Sequence, residues 1–161
     1  MMRASAMAGE SYPQGLLDTN IVILRKWIDP ADLPSAVAIC AITLAELSAG
    51  PHEVRPASEL QEFEEHAERA RRLDVLQRVE HEFDPIPFGV EAARAYGQVA
   101  AGIIGAGRKP RRAADLMIAS VAIAEDLPLF TTNPADFAGL GHLLTVVAVT
   151  RPSAAPAHPL T

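Results

Sequence analysis

A short apolar run, Gly15-Leu16-Leu17, stops abruptly at a carboxylate, Asp18, with Thr19 and Asn20 behind it and a helical pattern after that. A run of this kind reads as a buried parallel strand that delivers Asp18 at its carboxyl end, where open α/β sheets keep their ligand sites. One buried acid would be an oddity, whereas several brought to the same edge would make a cation site.

The chain beyond repeats the pattern. Ile21 to Ile28 reads as a short helix ended by Asp29-Pro30 through Pro34. Ala36 to Ile42 is apolar throughout, as expected of a strand covered on both faces. Thr43-Leu44-Ala45-Glu46 opens a second helix, which Gly50-Pro51 is expected to close. From Ser58 to Glu82 the apolar residues Leu60, Phe63, Ala67, Ala70, Leu73, Leu76 and Val79, with Phe83 just beyond, recur at three and four and predict one core-facing helical stripe. After an extended link over 84–88 come helices over Val90 to Ile104 and Arg112 to Glu125. The second of these has almost no polar face. Strands over Pro128 to Thr131 and Thr145 to Val149 flank a short helix beginning at Asn133-Pro134. Strands alternating with helices imply a three-layer α/β/α fold around a central parallel sheet. Residues 1–14 read as a flexible leader without a secretory pattern, 15–150 as the domain and 151–161 as a disordered tail.

No apolar run reaches the length of a membrane span. The single cysteine, Cys40, lies in an apolar run and reads as a small core residue in a reducing, cytoplasmic compartment. The net charge of −6 argues at first against a nucleic-acid partner, but Glu53 to Asp84 holds ten of the twenty acids and five of the fourteen bases. The remainder is nearly balanced, so acids committed to metal ions would leave their surroundings positive. Arg108, Lys109, Arg111 and Arg112 cluster just upstream of Asp115; a solvated basic turn is the plain reading of that cluster.

The acids have ordinary explanations when taken singly. Asp18 could cap the next helix, Thr43 and Glu46 match a capping box, and Asn133 ahead of Pro134 suits an N-cap with Asp136 in the first turn. Asp115 resists this, because an ionised carboxylate on an apolar helix needs a cation. Arg111 or Arg112 could supply it. Jointly, Asp18 ends the first strand, Glu46 lies just past the second, Asp115 opens the apolar helix, and Asn133 and Asp136 follow a later strand, so all are expected on one carboxyl edge of the sheet; crowded carboxylates ionise together only around positive charge. Oxygen-only ligands suit Mg²⁺ or Mn²⁺.

Leu16-Leu17-Asp18-Thr19-Asn20, Thr43-Leu44-Ala45-Glu46-Leu47, Ala114-Asp115-Leu116-Met117-Ile118-Ala119 and the stretch from Leu129 to Phe137 resemble the four motifs of PIN-domain ribonucleases, most of all the VapC-type toxins. The resemblance runs from Leu16 to Val149. It implies a PIN-like fold and an Mg²⁺-dependent endoribonuclease held inactive by a VapB-type antitoxin, commonly as a homodimer, with RNA as substrate. Asp18, Glu46 and Asp115 match the family's acidic triad, with Asp18 and Asp115 as principal ligands and Glu46 as ligand or water orienter. The fourth acidic position holds Asn133, so either Asp136 substitutes or a second metal is weakly held. Asn20, Thr131 and Thr132 would steady the carboxylates, and the basic cluster would contact RNA phosphates. Metal-activated water would then make a serine, cysteine or histidine nucleophile unnecessary.

Two rival readings remain. A haloacid-dehalogenase-type phosphatase would use the first acid as a nucleophile but wants a second acid where Asn20 stands. A non-enzymatic binding module would use the acids only to anchor a partner. Gly102 to Gly107 has P-loop spacing but lacks the Lys-Ser/Thr ending and a preceding strand, and no Gly-x-Ser-x-Gly elbow occurs.

Overall fold

A computed structural model describes residues 11–54, 62–107 and 112–153. Strand β1 (Gln14–Leu17) leads into the six-residue helix α1 (Thr19–Leu24), which relaxes into 3₁₀ turns at Arg25–Trp27 and Pro30–Asp32. The chain continues through β2 (Ala36–Ala38), α2 (Ala41–Glu53), α3 (Glu62–Glu82), α4 (Val90–Gly105), α5 (Ala113–Ala124) and β3 (Leu129–Thr131). A 3₁₀ turn (Pro134–Phe137) and β4 (Val146–Ala148) complete it.

The strands form one parallel sheet in the order β2-β1-β3-β4. From β1 the chain steps outward to β2 on one side, while β3 pairs on the other, so the switch point of the sheet lies between β1 and β3. Successive side chains of a strand point to opposite faces, and the core divides accordingly. Leu16 and Leu129 join Val99, Ile118 and Phe137 on the face covered by α4 and α5. Leu17 and Phe130 join Ile21, Leu24, Leu47 and Val79 on the face covered by α1, α2 and α3. A sheet buried on both faces explains why its two inner strands read as unbroken apolar runs. Gly15 is required by close packing: a Cβ there would lie 2.5 Å from Phe130 Cε2 and 3.0 Å from Pro34 Cγ.

Four expectations need correcting. β2 ends at Ala38, well short of Ile42, and as an edge strand it is only partly covered. Cys40 and Ile86 form an isolated parallel bridge, and the Ala41 amide donates to Ile86 O at 2.8 Å, so the segment 84–88 takes over the hydrogen bonding where α2 begins. Thr43 is therefore inside α2, whose N-cap is Cys40, and is not the cap of a box with Glu46. At the other end, α2 runs through Gly50-Pro51 to Glu53. Its final carbonyls are met from α3: Arg72 donates to Gly50 O at 3.0 Å and Arg69 to Pro51 O at 3.2 Å. Cationic donors are favourable at a helix C-terminus.

The stripe on α3 is core-facing only at its C-terminal end. Val79 is buried and Leu76 and Phe83 pack against the core, but Phe63 and Leu73 are exposed. Leu60 and the positions 58–61 lie outside the described residues. The P-loop spacing at Gly102 to Gly107 falls in the last turn of α4 and the residues after it, with helix and no strand before it. Cys40 is fully buried, and burial pushes its thiol up, which disfavours a reactive thiolate.

Candidate active site

The carboxyl ends of β1 and β3 open at the switch point, and the site is built there. Asp18 directly follows β1 and caps α1, accepting from the Thr19 amide at Oδ1, 2.9 Å. Its other oxygen, Oδ2, accepts from Thr131 Oγ1 at 2.8 Å, and Thr131 is the last residue of β3. Thr131 Oγ1 also accepts from the Asn133 amide at 3.0 Å, so this one hydroxyl is held from both sides. Asp18 is nearly inaccessible at 5 % exposure. Burial pushes its carboxyl up; the Thr131 and Thr19 hydrogen bonds pull it down, while the charges of Glu46 and Asp136 raise it further.

Glu46 reaches the same pocket from the second turn of α2. Its Oε1 accepts from Thr19 Oγ1 at 2.7 Å and its Oε2 from Arg112 Nη2 at 3.0 Å. Thr19 Oγ1 also lies 3.2 Å from Thr43 Oγ1. A hydroxyl has one hydrogen, and that of Thr19 is committed to the shorter, charged contact, so Thr43 donates in that pair. Asp115, the third residue of α5, makes no hydrogen bond or ion pair among the described residues. Its carboxyl is pushed up to about 6, chiefly by burial and then by the charge of Asp18; Glu46 and Asp136 add to this and Arg112 opposes it. Asp136, in the 3₁₀ turn after β3, thus shares one field with Asp18 and Asp115.

The charges of Glu46 and Asp136 act on both Asp18 and Asp115, whereas the supporting residues differ from expectation. Thr131 holds Asp18 as anticipated. Thr132 does not: its Oγ1 is buried and lacks a hydrogen-bond partner among the described residues. Thr19, rather than Asn20, links the first motif to Glu46, and Thr43 backs it. Asn133 is exposed, and its side chain does not cap the turn it precedes. Arg112 sits on Glu46, while Arg108, Lys109 and Arg111 lie outside the described residues.

Carboxylate and hydroxyl oxygens form a donor set for a hard divalent cation; the carboxyls of Asp18 and Asp115 are raised chiefly by burial and further by neighbouring acids, a combination that a bound cation would offset. The donors therefore fit such an ion in chemistry and charge. They are not closed around one point: among the described residues, no three acid, histidine or cysteine side chains stand where they could share a metal ion.

Beside Glu46 and Arg112 a cleft of about 360 Å³ continues between α2 and α5, lined by Ile42, Ala49 and Met117 among others. A larger recess of about 670 Å³ next to the C-terminal end of α4 contains no carboxylate and shares no residue with this site.

A parallel α/β/α domain with an acidic, oxygen-donor pocket at its switch point is the class that fold and site define. The chain belongs to the PIN domain family, whose profile matches residues 16–143. It is 34% identical over 129 residues to ribonuclease VapC5 of Mycobacterium tuberculosis, covering 78% of this chain and 87% of that protein. Its fold is similar to a chain in the crystal structure of VapBC-5, a member of the VapBC family of toxin–antitoxin systems from the same organism. That match has a TM-score of 0.68 and 31% identity over 86% of this chain and 98% of the other. It is also similar to VapBC2 from Rickettsia felis bound to a promoter DNA fragment, with a TM-score of 0.61 and 25% identity over 82% and 96% of the two chains.

Proposed function

We propose that this chain is the endoribonuclease toxin of a toxin–antitoxin pair, and that it hydrolyses RNA phosphodiesters at the acidic pocket with Mg²⁺ or Mn²⁺. The observation that carries this reading is the hydrogen-bonded network at the carboxyl edge of the sheet, in which Thr131 and the Thr19 amide hold Asp18 and the Thr19 hydroxyl holds Glu46, with Asp136 acting through its charge on Asp18 and on Asp115. The likeness to ribonuclease VapC5 and to chains of VapBC complexes supports it.

Asp18 and Asp115 are the principal ligands, and Glu46 is a ligand or orients the attacking water. Asp136 is the stronger candidate for the fourth acidic position, since its charge reaches both Asp18 and Asp115; Asn133 is the weaker one. The bound ion supplies an activated water near neutral pH and neutralises charge in the in-line displacement. Thr131 and Thr19 fix the directions of Asp18 and Glu46, which keeps the acids aimed when the phosphodiester arrives. Arg108, Lys109, Arg111 and Arg112 contact backbone phosphates, which position RNA without reading its sequence.

The catalytic unit spans 15–150 together with Tyr12, which packs edge-on against Phe130 with ring centroids 6.0 Å apart. The partners are a VapB-type antitoxin and a second copy of the chain. Exposed apolar side chains at Phe63, Leu73, Val90 and Ile104 support partner surfaces. No helix among the described residues is long and apolar enough to cross a membrane, and the protein acts in the cytoplasm, where its RNA substrate is found.

Expression of the wild-type chain in bacteria, followed by sequencing of RNA 5′ ends, tests this directly. New ends at defined positions are expected with the wild type and not with Asp18→Asn. The same new ends in both would remove Asp18 from the mechanism, and no new ends in either alongside tight antitoxin binding would favour the binding-module reading.

A further inference from the structure

We infer that Arg112 is an internal counter-cation which a divalent metal ion must displace from Glu46 before the acidic site can close. The inference rests on the metal-dependent reading above and concerns how the chain regulates access to that site. Both oxygens of Glu46 are occupied, one by the Thr19 hydroxyl at 2.7 Å and the other by the Arg112 guanidinium at 3.0 Å. The hydroxyl of Thr19 is compatible with a bound cation, because it donates to one oxygen and leaves the carboxylate its negative charge. The guanidinium is not, since it places a positive charge where the ion's own charge would be.

The two partners are unequally anchored. The Glu46 side chain is 17% exposed and the Arg112 side chain 58%, so the arginine can leave into solvent while the glutamate stays. Arg112 is also the residue just before α5, three positions from Asp115, and its charge acts on both acids. Departure of the guanidinium therefore frees Glu46 and removes positive charge from beside Asp115 in one movement. A flexible, largely exposed arginine released at the mouth of the pocket is then available to an RNA phosphate.

Calorimetric titration of Mn²⁺ into the purified chain at one pH tests the exchange, with Arg112→Gln, Glu46→Gln and the double variant in parallel. Arg112→Gln is expected to bind Mn²⁺ at least about threefold more tightly, the scale of a part-exposed ion pair. In the Glu46→Gln background the same substitution should change the affinity little, because the competition is for that carboxylate. Arg112→Lys, which keeps the charge, should bind no more tightly than wild type. Unchanged or weaker Mn²⁺ binding in Arg112→Gln overturns the inference, as does an equal gain in the Glu46→Gln background, which would mark a general field effect. Absence of Mn²⁺ binding by the wild type would overturn the metal-dependent function as well.

Discussion

Thr131 Oγ1 donates to Asp18 Oδ2 at 2.8 Å across 113 positions of sequence, joining the carboxyl ends of the two central strands. The bond forms because β1 and β3 pair in parallel, Leu17 opposite Phe130, so the next residues, Asp18 just beyond β1 and Thr131 at the end of β3, emerge side by side. A buried carboxylate with a fixed hydroxyl donor cannot rotate away from the pocket.

Thr131→Val removes this donor with little change of shape. RNA cleavage is expected to fall about 10- to 100-fold, the usual effect of losing a partner that orients a metal ligand, and stability by about 1–3 kcal/mol. Thr132→Val makes the contrast, because Thr132 Oγ1 is buried without a partner among the described residues. It should leave stability unchanged or raise it by up to about 1 kcal/mol. Denaturant unfolding and cleavage assays on both variants check this; similar behaviour of the two would contradict it.

Asp115 predicts an inverted pH dependence of stability. Its carboxyl is pushed up from 3.8 to about 6, chiefly by burial and then by Asp18. The folded chain therefore holds this proton more tightly than the unfolded chain. Lowering the pH through about 6 is stabilising at this site, and the penalty for the charge is complete above about 6. In the metal-free state at pH 8, Asp115→Asn should be more stable than wild type by about 1–2 kcal/mol after discounting for solvent screening. The gap should close below about pH 4. Thermal melts in chelator at several pH values read it, and a variant that melts lower at pH 8 would contradict the account.

Gly15→Ala tests how the sheet holds the site. The new methyl would meet Phe130 Cε2 at 2.5 Å and Cδ2 at 2.7 Å, and Phe130 immediately precedes Thr131. Overpacking here is expected to cost about 1–3 kcal/mol and to reduce cleavage by shifting the end of β3. A variant that melts with wild type would show that the ring moves aside freely.

The alternation of buried strands with helices was legible because β1 and β3 are covered on both faces, which leaves a mark on every residue of the run. The placement of Asp18 and Asp136 was legible for a related reason, since both follow strand ends and a parallel sheet sends such ends to one edge; Glu46 and Asp115 come to that edge from within helices α2 and α5. The limits of β2 were not, since the residues from Ala38 through Ile42 are apolar across the strand-to-helix change and the decisive hydrogen bond comes from Ile86. Nor was the exchange of Thr19 for Asn20 as the support of Glu46. Which of two adjacent hydroxyl or amide residues faces a site depends on how α1 leaves the sheet, and local sequence does not record that angle. Arg112 on Glu46 spans 66 positions and two exposed-side rotamers, for which no spacing rule exists.

The central claim is that these carboxylates act through a divalent ion on RNA, and cleavage of total bacterial RNA by the purified chain across an Mg²⁺ titration tests it most directly. Cleavage is expected to rise with Mg²⁺, to vanish in chelator, and to be absent at every Mg²⁺ concentration in a folded Asp115→Asn variant. Equal cleavage by that variant, or cleavage that persists in chelator, would contradict it.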